Sequence, residues 1–230
     1  MPKILEIIGS PGTGKTFITN ELEKIKINKK KIFFTSSQKN SNSITKLNFI
    51  FKIFLKLKVI LKMIIFYLLF NRRIFLRKKY KRNFFLRVVL INYRDLIYFE
   101  YLKNSLSEKK YLIMEPSFTM HFIQDFFYTK ESISKWEIKI FNKFFINSSF
   151  IINVSCNYKL INKRLNLRRR GFPQRMRQMS LKEKKDTIVK SIQEINKYVL
   201  NSKNLRSKII KVNSSNNINK IKKKILKSIR

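Results

Sequence analysis

The stretch GSPGTGKT, residues 9–16, decides the fold of this chain. It holds three of the four glycines found in 230 residues, and it matches the pattern G-x-x-x-x-G-K-[ST] from Gly9 to Thr16. The apolar run KILEII at 3–8 precedes it, and apolar residues at helical spacing follow it. This order of strand, glycine-rich turn and helix predicts a loop that binds phosphate groups.

Each residue type in this loop has a chemical reason. Glycines permit unusual backbone angles and let phosphate oxygens approach the backbone amides. Lys15 is predicted to contact the β- and γ-phosphates, and Thr16 to ligate Mg²⁺. The chain has no N-K-x-D guanine-recognition motif in the expected place, so we predict ATP as the nucleotide. The residues predicted to bind it here are Gly9, Ser10, Pro11, Gly12, Thr13, Gly14, Lys15 and Thr16.

The net charge of +39 resembles that of a nucleic-acid-binding protein. However, the sequence has no alanine and is rich in Lys, Asn, Ile and Phe, whose codons are rich in A and T. We therefore attribute much of the basicity to genomic base composition and do not expect a nucleic-acid partner. The single cysteine, Cys156, excludes an internal disulfide. Because the first strand begins at once, we expect a cytoplasmic protein.

Five short apolar runs alternate with helical patterns along the chain. This alternation predicts an α/β fold in which helices cover both faces of a five-stranded parallel sheet, within a single domain spanning 1–230. Within the first strand we interpret Glu6 as structural, and we expect Trp136 to be a packing residue. The predicted strands are 3–8, 31–37, 109–117, 149–156 and 207–215.

Residues 46–70 are strongly apolar but are interrupted by Lys52, Lys56, Lys58 and Lys62. The longest run without charge, 63–70, is far shorter than the roughly 20 residues that a membrane span needs. We predict an amphipathic helix whose lysines extend to water. It either packs on the core of the protein or, together with the basic stretch up to residue 82, lies on an anionic membrane surface.

The segment LINYRDLIYFEYLKNSLSEKKYLIMEPSFTMHFIQ, residues 90–124, resembles the central part of thymidylate-kinase-like enzymes, a branch of the P-loop nucleoside and nucleotide kinases. In that family an arginine-bearing helix leads into a strand that ends in a carboxylate. The resemblance implies that Arg94 binds the phosphate acceptor. Glu115, at the end of the strand, is predicted to serve Mg²⁺ or to act as a general base. Pro116 stands where the family has a second arginine.

The stretch FIINVSCNYKLINKRLNLRRRGFPQRMR, residues 150–177, is similar to the strand, helix and lid of the same kinases. Arg164 and Arg168 lie four residues apart, on one helix face, and are predicted to stabilise the charge of the transferring phosphoryl group. Arg169 and Arg170 are predicted to bind the nucleotide, within a lid at about 166–180 that hinges at Gly171. The alternative is a solvated basic loop.

Taken as a whole, the resemblance implies a P-loop NTPase three-layer sandwich with strand order 2-3-1-4-5 and a basic helical insert at about 40–86. The predicted reaction is Mg²⁺-dependent transfer of the ATP γ-phosphoryl group to a small acceptor that resembles a nucleoside, nucleotide or sugar. The alternatives are a P-loop ATPase and an ATP-binding regulatory protein at the inner face of the membrane. The sequence leaves the oligomeric state open.

Overall fold

A computed structural model gives the architecture of most of the chain. Its eight described helices are numbered α1–α8 and its seven described strands β1–β7. The helix α3 spans residues 96–105. The structure describes residues 2–27, 30–35, 49–70, 93, 96–115, 118–127, 131–145, 148–168, 171–173, 176–202 and 208–229.

A five-stranded sheet, parallel throughout, forms the centre of the described structure. β1 (Lys3–Ile8) lies in the middle, between β5 (Tyr111–Met114) and β6 (Phe150–Ser155), and every one of its residues after Lys3 is buried. Apolar and β-branched residues dominate these strands, as expected of a parallel sheet covered on both faces. The five strands are β1 (Lys3–Ile8), β4 (Phe33–Thr35), β5 (Tyr111–Met114), β6 (Phe150–Ser155) and β7 (Lys208–Asn213).

The order across the sheet is β4-β5-β1-β6-β7. In this numbering it differs from the predicted 2-3-1-4-5, because an antiparallel pair that the sequence did not predict precedes β4. That pair consists of β2 (Lys26–Ile27) and β3 (Lys30–Lys31). Among the five strands of the large sheet alone, the order is second, third, first, fourth and fifth along the chain.

Helices cover both faces of the sheet. Alternate residues of β1 point in opposite directions, so Ile4 and Ile8 join one core cluster while Leu5 and Ile7 join another. The second cluster lies under the first and last helices, and the first cluster lies under the other described helices except the one that follows β6. The helices are α1 (Lys15–Glu23), α2 (Phe49–Phe70), α3 (96–105), α4 (Phe118–Phe127), α5 (Lys135–Phe145), α6 (Tyr158–Leu167), α7 (Leu181–Asn201) and α8 (Ile218–Ile229).

The helices α4 and α5 are separate, and the described residues 131–134 between them are not helical. Ser134 begins α5 with a capping box: its hydroxyl accepts from the Glu137 amide at 3.1 Å, and Glu137 Oε2 accepts from the Ser134 amide at 2.8 Å. The preceding Ile133 is fully buried, and its amide donates to Glu194 at 2.9 Å. The prediction that Trp136 is a packing residue was wrong, since this side chain on α5 is 61% exposed.

The apolar segment predicted at 46–70 is helical from Phe49 to Phe70 and forms α2. Leu55, Val59 and Met63, four residues apart, are buried in the first core cluster. This agrees with the core-packing alternative for one face of the helix, while the opposite face is exposed. Among the described residues, we find no helix that combines the length and apolar character required to cross a bilayer.

Candidate functional site

The loop from Gly9 to Lys15 joins β1 to α1 in a conformation that requires glycine. Gly12 and Gly14 have φ angles of 82° and 88°, in the left-handed region that favours glycine. Glycine is required at position 9 for a different reason, because a Cβ atom there would lie 2.6 Å from the Val154 carbonyl oxygen. The three glycines therefore shape the loop and let it pack closely on β6.

The ammonium of Lys15 folds back over this loop. Its Nζ donates to the carbonyl oxygens of Gly9 at 2.7 Å and Ser10 at 2.9 Å. Burial lowers the pKa of Lys15 to about 8, while the charge of Glu115 opposes that fall and the charge of Arg168 adds to it. An ammonium has three N–H donors, so these two bonds leave capacity for a further acceptor such as a phosphate oxygen.

A carboxylate lies beside the first turn of α1. Glu115 directly follows β5, and Thr16 donates its hydroxyl to Glu115 Oε1 at 2.7 Å. The Thr19 hydroxyl donates to the other carboxylate oxygen, Oε2. The structure thus brings together Lys15, Thr16 and Glu115, three residues to which the sequence assigned phosphate and metal binding.

Thr19 was missed in the sequence because the loop motif ends at Thr16. The available signal was its spacing, since positions i and i+3 of a helix share one face. Glu115 is only 9% exposed, so the two hydroxyls satisfy a nearly buried carboxylate.

Arg164 reaches the loop from α6. Asn157 caps the start of this helix by accepting from the Leu160 amide at 2.8 Å. The Arg164 guanidinium donates to the Thr13 carbonyl at 3.3 Å and to the Ser214 hydroxyl and carbonyl at 2.8 and 3.0 Å. Arg164 therefore connects the loop to the turn after β7, and one guanidinium nitrogen lies 3.5 Å from the position that a Cβ on Gly14 would take.

Arg168 ends α6 and is exposed, and its charge acts on Lys15. Arg169, Arg170 and the predicted acceptor residue Arg94 lie outside the described residues. Within the predicted lid, Gly171 has a φ angle of 62°, and a Cβ added there would meet no atom within 4 Å, as a hinge would allow. Met176 anchors the lid, because it is fully buried against α6 and α7.

A cavity of about 440 Å³ opens next to the loop. Its apolar walls come from α1 and α8, and its polar side comes from Arg164 and the turn after β7. Sequence analysis missed this turn, although polar residues directly after a parallel strand are a usual place for ligand contacts. The lining residues that bear on ligand binding are Gly14, Phe17, Arg164, Ser214, Asn216 and Ile218.

The oxygen ligands near Lys15 suit a Mg²⁺ ion that binds together with a phosphate group. Among the described residues, no group of three or more His, Cys, Asp or Glu side chains could hold a metal ion. One hydroxyl from Thr16 and one carboxylate from Glu115 are available. Mg²⁺ commonly binds through one or two protein ligands, with phosphate oxygens and waters completing its octahedron. The pair is therefore adequate only when a phosphorylated ligand is present.

A second buried carboxyl, Glu6, lies in the middle of β1. Thr119 donates its hydroxyl to Glu6 Oε2, and Oε1 has no hydrogen-bond partner among the described residues. Burial raises the pKa of Glu6 to about 8, although the Thr119 bond lowers it. Glu6 lies on the same face of the sheet as Ile4 and Ile8. The first core cluster on that face includes Tyr198, whose hydroxyl donates to Asn142 at 2.6 Å. This arrangement agrees with the structural interpretation of Glu6.

Comparison with known proteins adds no family to this description. No protein-family model matches the chain, and no curated protein is significantly similar to it.

Proposed function

We propose that this chain is a P-loop phosphotransferase that uses Mg²⁺ and ATP to phosphorylate a small acceptor. The observation that carries the proposal is the convergence of Lys15, Thr16 and Glu115 at the carboxyl edge of the sheet, beside a loop shaped by three glycines. Binding proteins of many kinds contain basic residues, but this set combines an anion cradle with ligands for a divalent cation.

The triphosphate would occupy the loop at the amino end of α1. Backbone amides there are not used within the helix, and the helix dipole favours negative charge. The Lys15 ammonium would donate to the β- and γ-phosphate oxygens, either in addition to its present carbonyl partners or in place of them. The cavity beside Gly14 would hold the nucleoside, with apolar contact from Phe17 and hydrogen bonds from the side chains of Ser214 and Asn216.

Thr16 and Glu115 would hold Mg²⁺, whose charge would neutralise that of the β- and γ-phosphates. Both oxygens of Glu115 already accept hydroxyl hydrogen bonds from α1. This supports a role in metal binding over a role as general base. Thr19 is then a positioning residue, because it orients the carboxylate and does not touch the nucleotide itself.

In the reaction, an acceptor hydroxyl oxygen would form a bond to the γ-phosphorus while the bond from that phosphorus to the β–γ bridging oxygen breaks. ADP would leave with the electron pair of the broken bond, and the hydroxyl proton would pass to water. Negative charge spreads over the equatorial oxygens in the transition state, and cations aimed at them accelerate transfer. Arg164 donates to the Thr13 carbonyl of the loop, which supports this role, and Arg168 is the C-cap residue that directly follows α6. Arg94 remains the proposed acceptor ligand, on the strength of the resemblance alone.

The experiment that tests this function follows the label of γ-³²P-ATP with nucleosides, nucleoside monophosphates, sugars and a cell metabolite extract as acceptors. Transfer to a small molecule that requires Mg²⁺ supports the proposal and begins to identify the acceptor. Release of label as inorganic phosphate alone would instead indicate an ATPase. No movement of label, together with ATP binding, would indicate a regulatory nucleotide-binding protein.

Thr19→Val offers a matched test of the proposed metal site, because it removes a hydroxyl while keeping the shape of the side chain. We expect transfer to fall, and the Mg²⁺ concentration for half-maximal rate to rise several-fold, since Glu115 loses one orienting bond. A loss of rate without a shift in Mg²⁺ dependence would mean that Thr19 acts only on stability.

A further inference from the structure

The outward face of α2 is apolar and exposed to water. Three of its residues, Phe54, Leu57 and Leu61, are about 60% exposed, at 64, 60 and 60%. Isolated exposed apolar residues are ordinary on protein surfaces, but a contiguous patch marks a binding surface. We define the outer face of α2 as Ile53, Phe54, Leu57, Ile60, Leu61 and Ile64.

These six residues form one continuous strip. At about 100° per residue they span an arc of about 120°. The buried residues Leu55, Val59 and Met63 lie on the opposite side of the same helix. Thus α2 has two apolar faces, of which only one contacts the core.

An ion-pair cluster fixes which face points outward. The carboxylate of Glu100, on α3, is completely buried and accepts from Lys58 at 2.9 Å and from Lys62 at 2.5 Å. Burial would raise the pKa of Glu100, but its bonds to the two lysines lower it below the ordinary value. Because the two lysines are held to α3, rotation of α2 that would bury the outer face would break both pairs.

The edges of the outer face are basic. Lys56 is exposed along one edge, and the Lys58 side chain, 40% exposed, lies along the other. No acidic residue occurs in α2. Over a longer stretch of sequence, none occurs between Glu23 and Asp95, so all thirteen acidic residues of the chain lie outside residues 24–94.

Base composition does not account for this gap, because Asp and Glu occur on both sides of it. The next twelve residues after α2, NRRIFLRKKYKR at 71–82, contain seven Lys or Arg residues. A surface that presents an apolar strip between basic edges is complementary to an anionic bilayer, whose headgroups attract lysine while its acyl boundary accepts apolar side chains.

Other occupants fit less well. A second copy of the chain would bring an equally basic surface, and the repulsion of two chains of net charge +39 would oppose dimerisation. A nucleic acid would pair with the lysines but would leave the six apolar side chains in water.

We propose that the outer face of α2 binds an anionic membrane surface, with the helix lying parallel to the bilayer and its apolar strip inserted at the headgroup boundary. The contacts with α3 remain in place, so the docked helix stays part of the folded protein. Binding of this kind needs both components, apolar insertion and attraction to negative lipid.

Co-sedimentation of the full chain with vesicles tests the proposal. The vesicles contain phosphatidylcholine alone or phosphatidylcholine mixed with phosphatidylserine. The test variant carries Phe54→Ser, Leu57→Ser and Leu61→Ser. The matched control carries Trp136→Ser, Leu181→Ser and Leu200→Ser, three side chains that are 61, 83 and 58% exposed elsewhere. Both variants keep every charge, and circular dichroism with a thermal scan checks that each one folds.

We expect the wild type and the control to bind the phosphatidylserine vesicles, and the test variant to bind them at least about tenfold more weakly. Equal binding by the test variant would show that net charge alone attracts the chain, and would overturn the proposal. So would binding that does not depend on phosphatidylserine. A solution dimer of the wild type that the test variant converts to monomers would make a second copy the occupant. Phosphotransfer in solution, measured separately, tests the proposed function independently of these results.

Discussion

Lysine has a different role in the loop from Gly9 to Lys15 and in the helix α2. In the loop, Lys15 lies among backbone carbonyls and beside a carboxylate that α1 hydroxyls hold, and its remaining donor capacity points to an anionic ligand. In α2, Lys58 and Lys62 satisfy the buried Glu100, and the helix exposes an apolar strip between basic edges. The comparison shows that the role of a lysine in so basic a chain depends on its partners, not on its abundance.

The largest expected effect concerns the α2 side of this comparison. Lys58→Met combined with Lys62→Met leaves the completely buried Glu100 carboxylate without these two partners, and removing the partner of a buried charge in this way typically costs about 3–5 kcal/mol. We expect the free energy of unfolding to fall by that order in urea denaturation. Lys56→Gln, at an exposed lysine of the same helix, is the control and should change it by less than about 0.5 kcal/mol. A similar small loss in both variants would show that the cluster does not hold α2.

On the loop side, Lys15→Ala should reduce phosphoryl transfer by at least about 100-fold, because it removes a cation placed to contact the transferring group. The measurement is the rate of ³²P transfer at saturating Mg²⁺. Lys24→Ala alters an exposed lysine at the other end of α1 and should leave the rate unchanged. Full activity of Lys15→Ala would refute the assignment of the loop as the phosphate-binding site.

Much of this contrast was predictable from sequence. The residues of the loop are contiguous, so their spacing predicts both the turn and its chemistry, and the apolar runs predict a parallel sheet. The carboxylate at Glu115 was expected from the resemblance to thymidylate-kinase-like enzymes, in which the corresponding strand ends in a carboxylate. By contrast, the pairing of Lys58 and Lys62 with Glu100 joins residues about forty positions apart, and no local pattern specifies it.

The same reason explains the other omissions. Ser214 and Asn216 line the cavity only because β7 places their turn beside Arg164. The break between α4 and α5 depends on the burial of Ile133 and on its bond to Glu194 in α7. Such contacts are set by tertiary packing, which overrides local helix propensity.

A smaller effect on stability should distinguish Gly12, which shapes the loop, from Gly171 in the lid. Gly12→Ala holds an alanine in the left-handed region and places its Cβ 2.9 Å from the Leu165 side chain. Gly171→Ala also holds an alanine in that region, but its Cβ meets no atom within 4 Å. We expect Gly12→Ala to destabilise the protein by about 2–3 kcal/mol and Gly171→Ala by about 1 kcal/mol, the strain of the backbone alone. Thermal unfolding of both variants makes the comparison. Equal losses would mean that the loop does not pack on α6 as described.

The smallest effect is on pH dependence. Because the pKa of Lys15 is lowered to about 8, the folded chain releases this proton before the unfolded chain does. The contribution of Lys15 to the free energy of unfolding therefore rises as pH increases from about 8 towards 10.5. Over the same range the affinity for ATP falls, because the ammonium is lost. We expect ATP to bind about tenfold more weakly at about pH 9 than at about pH 7. The Lys15→Arg variant should show no such fall, since arginine stays charged, and an equal fall in that variant would exclude Lys15 as the titrating group.

The central claim is that the loop holds a triphosphate next to the Thr16–Glu115 pair. Titration calorimetry of ATP, with and without Mg²⁺, tests it most directly in the wild type, Glu115→Gln and Lys15→Ala. The account predicts that Mg²⁺ tightens ATP binding to the wild type, that Glu115→Gln loses this gain, and that Lys15→Ala binds weakly in both conditions. ATP binding that is unchanged in both variants, or absent from the wild type, would contradict it.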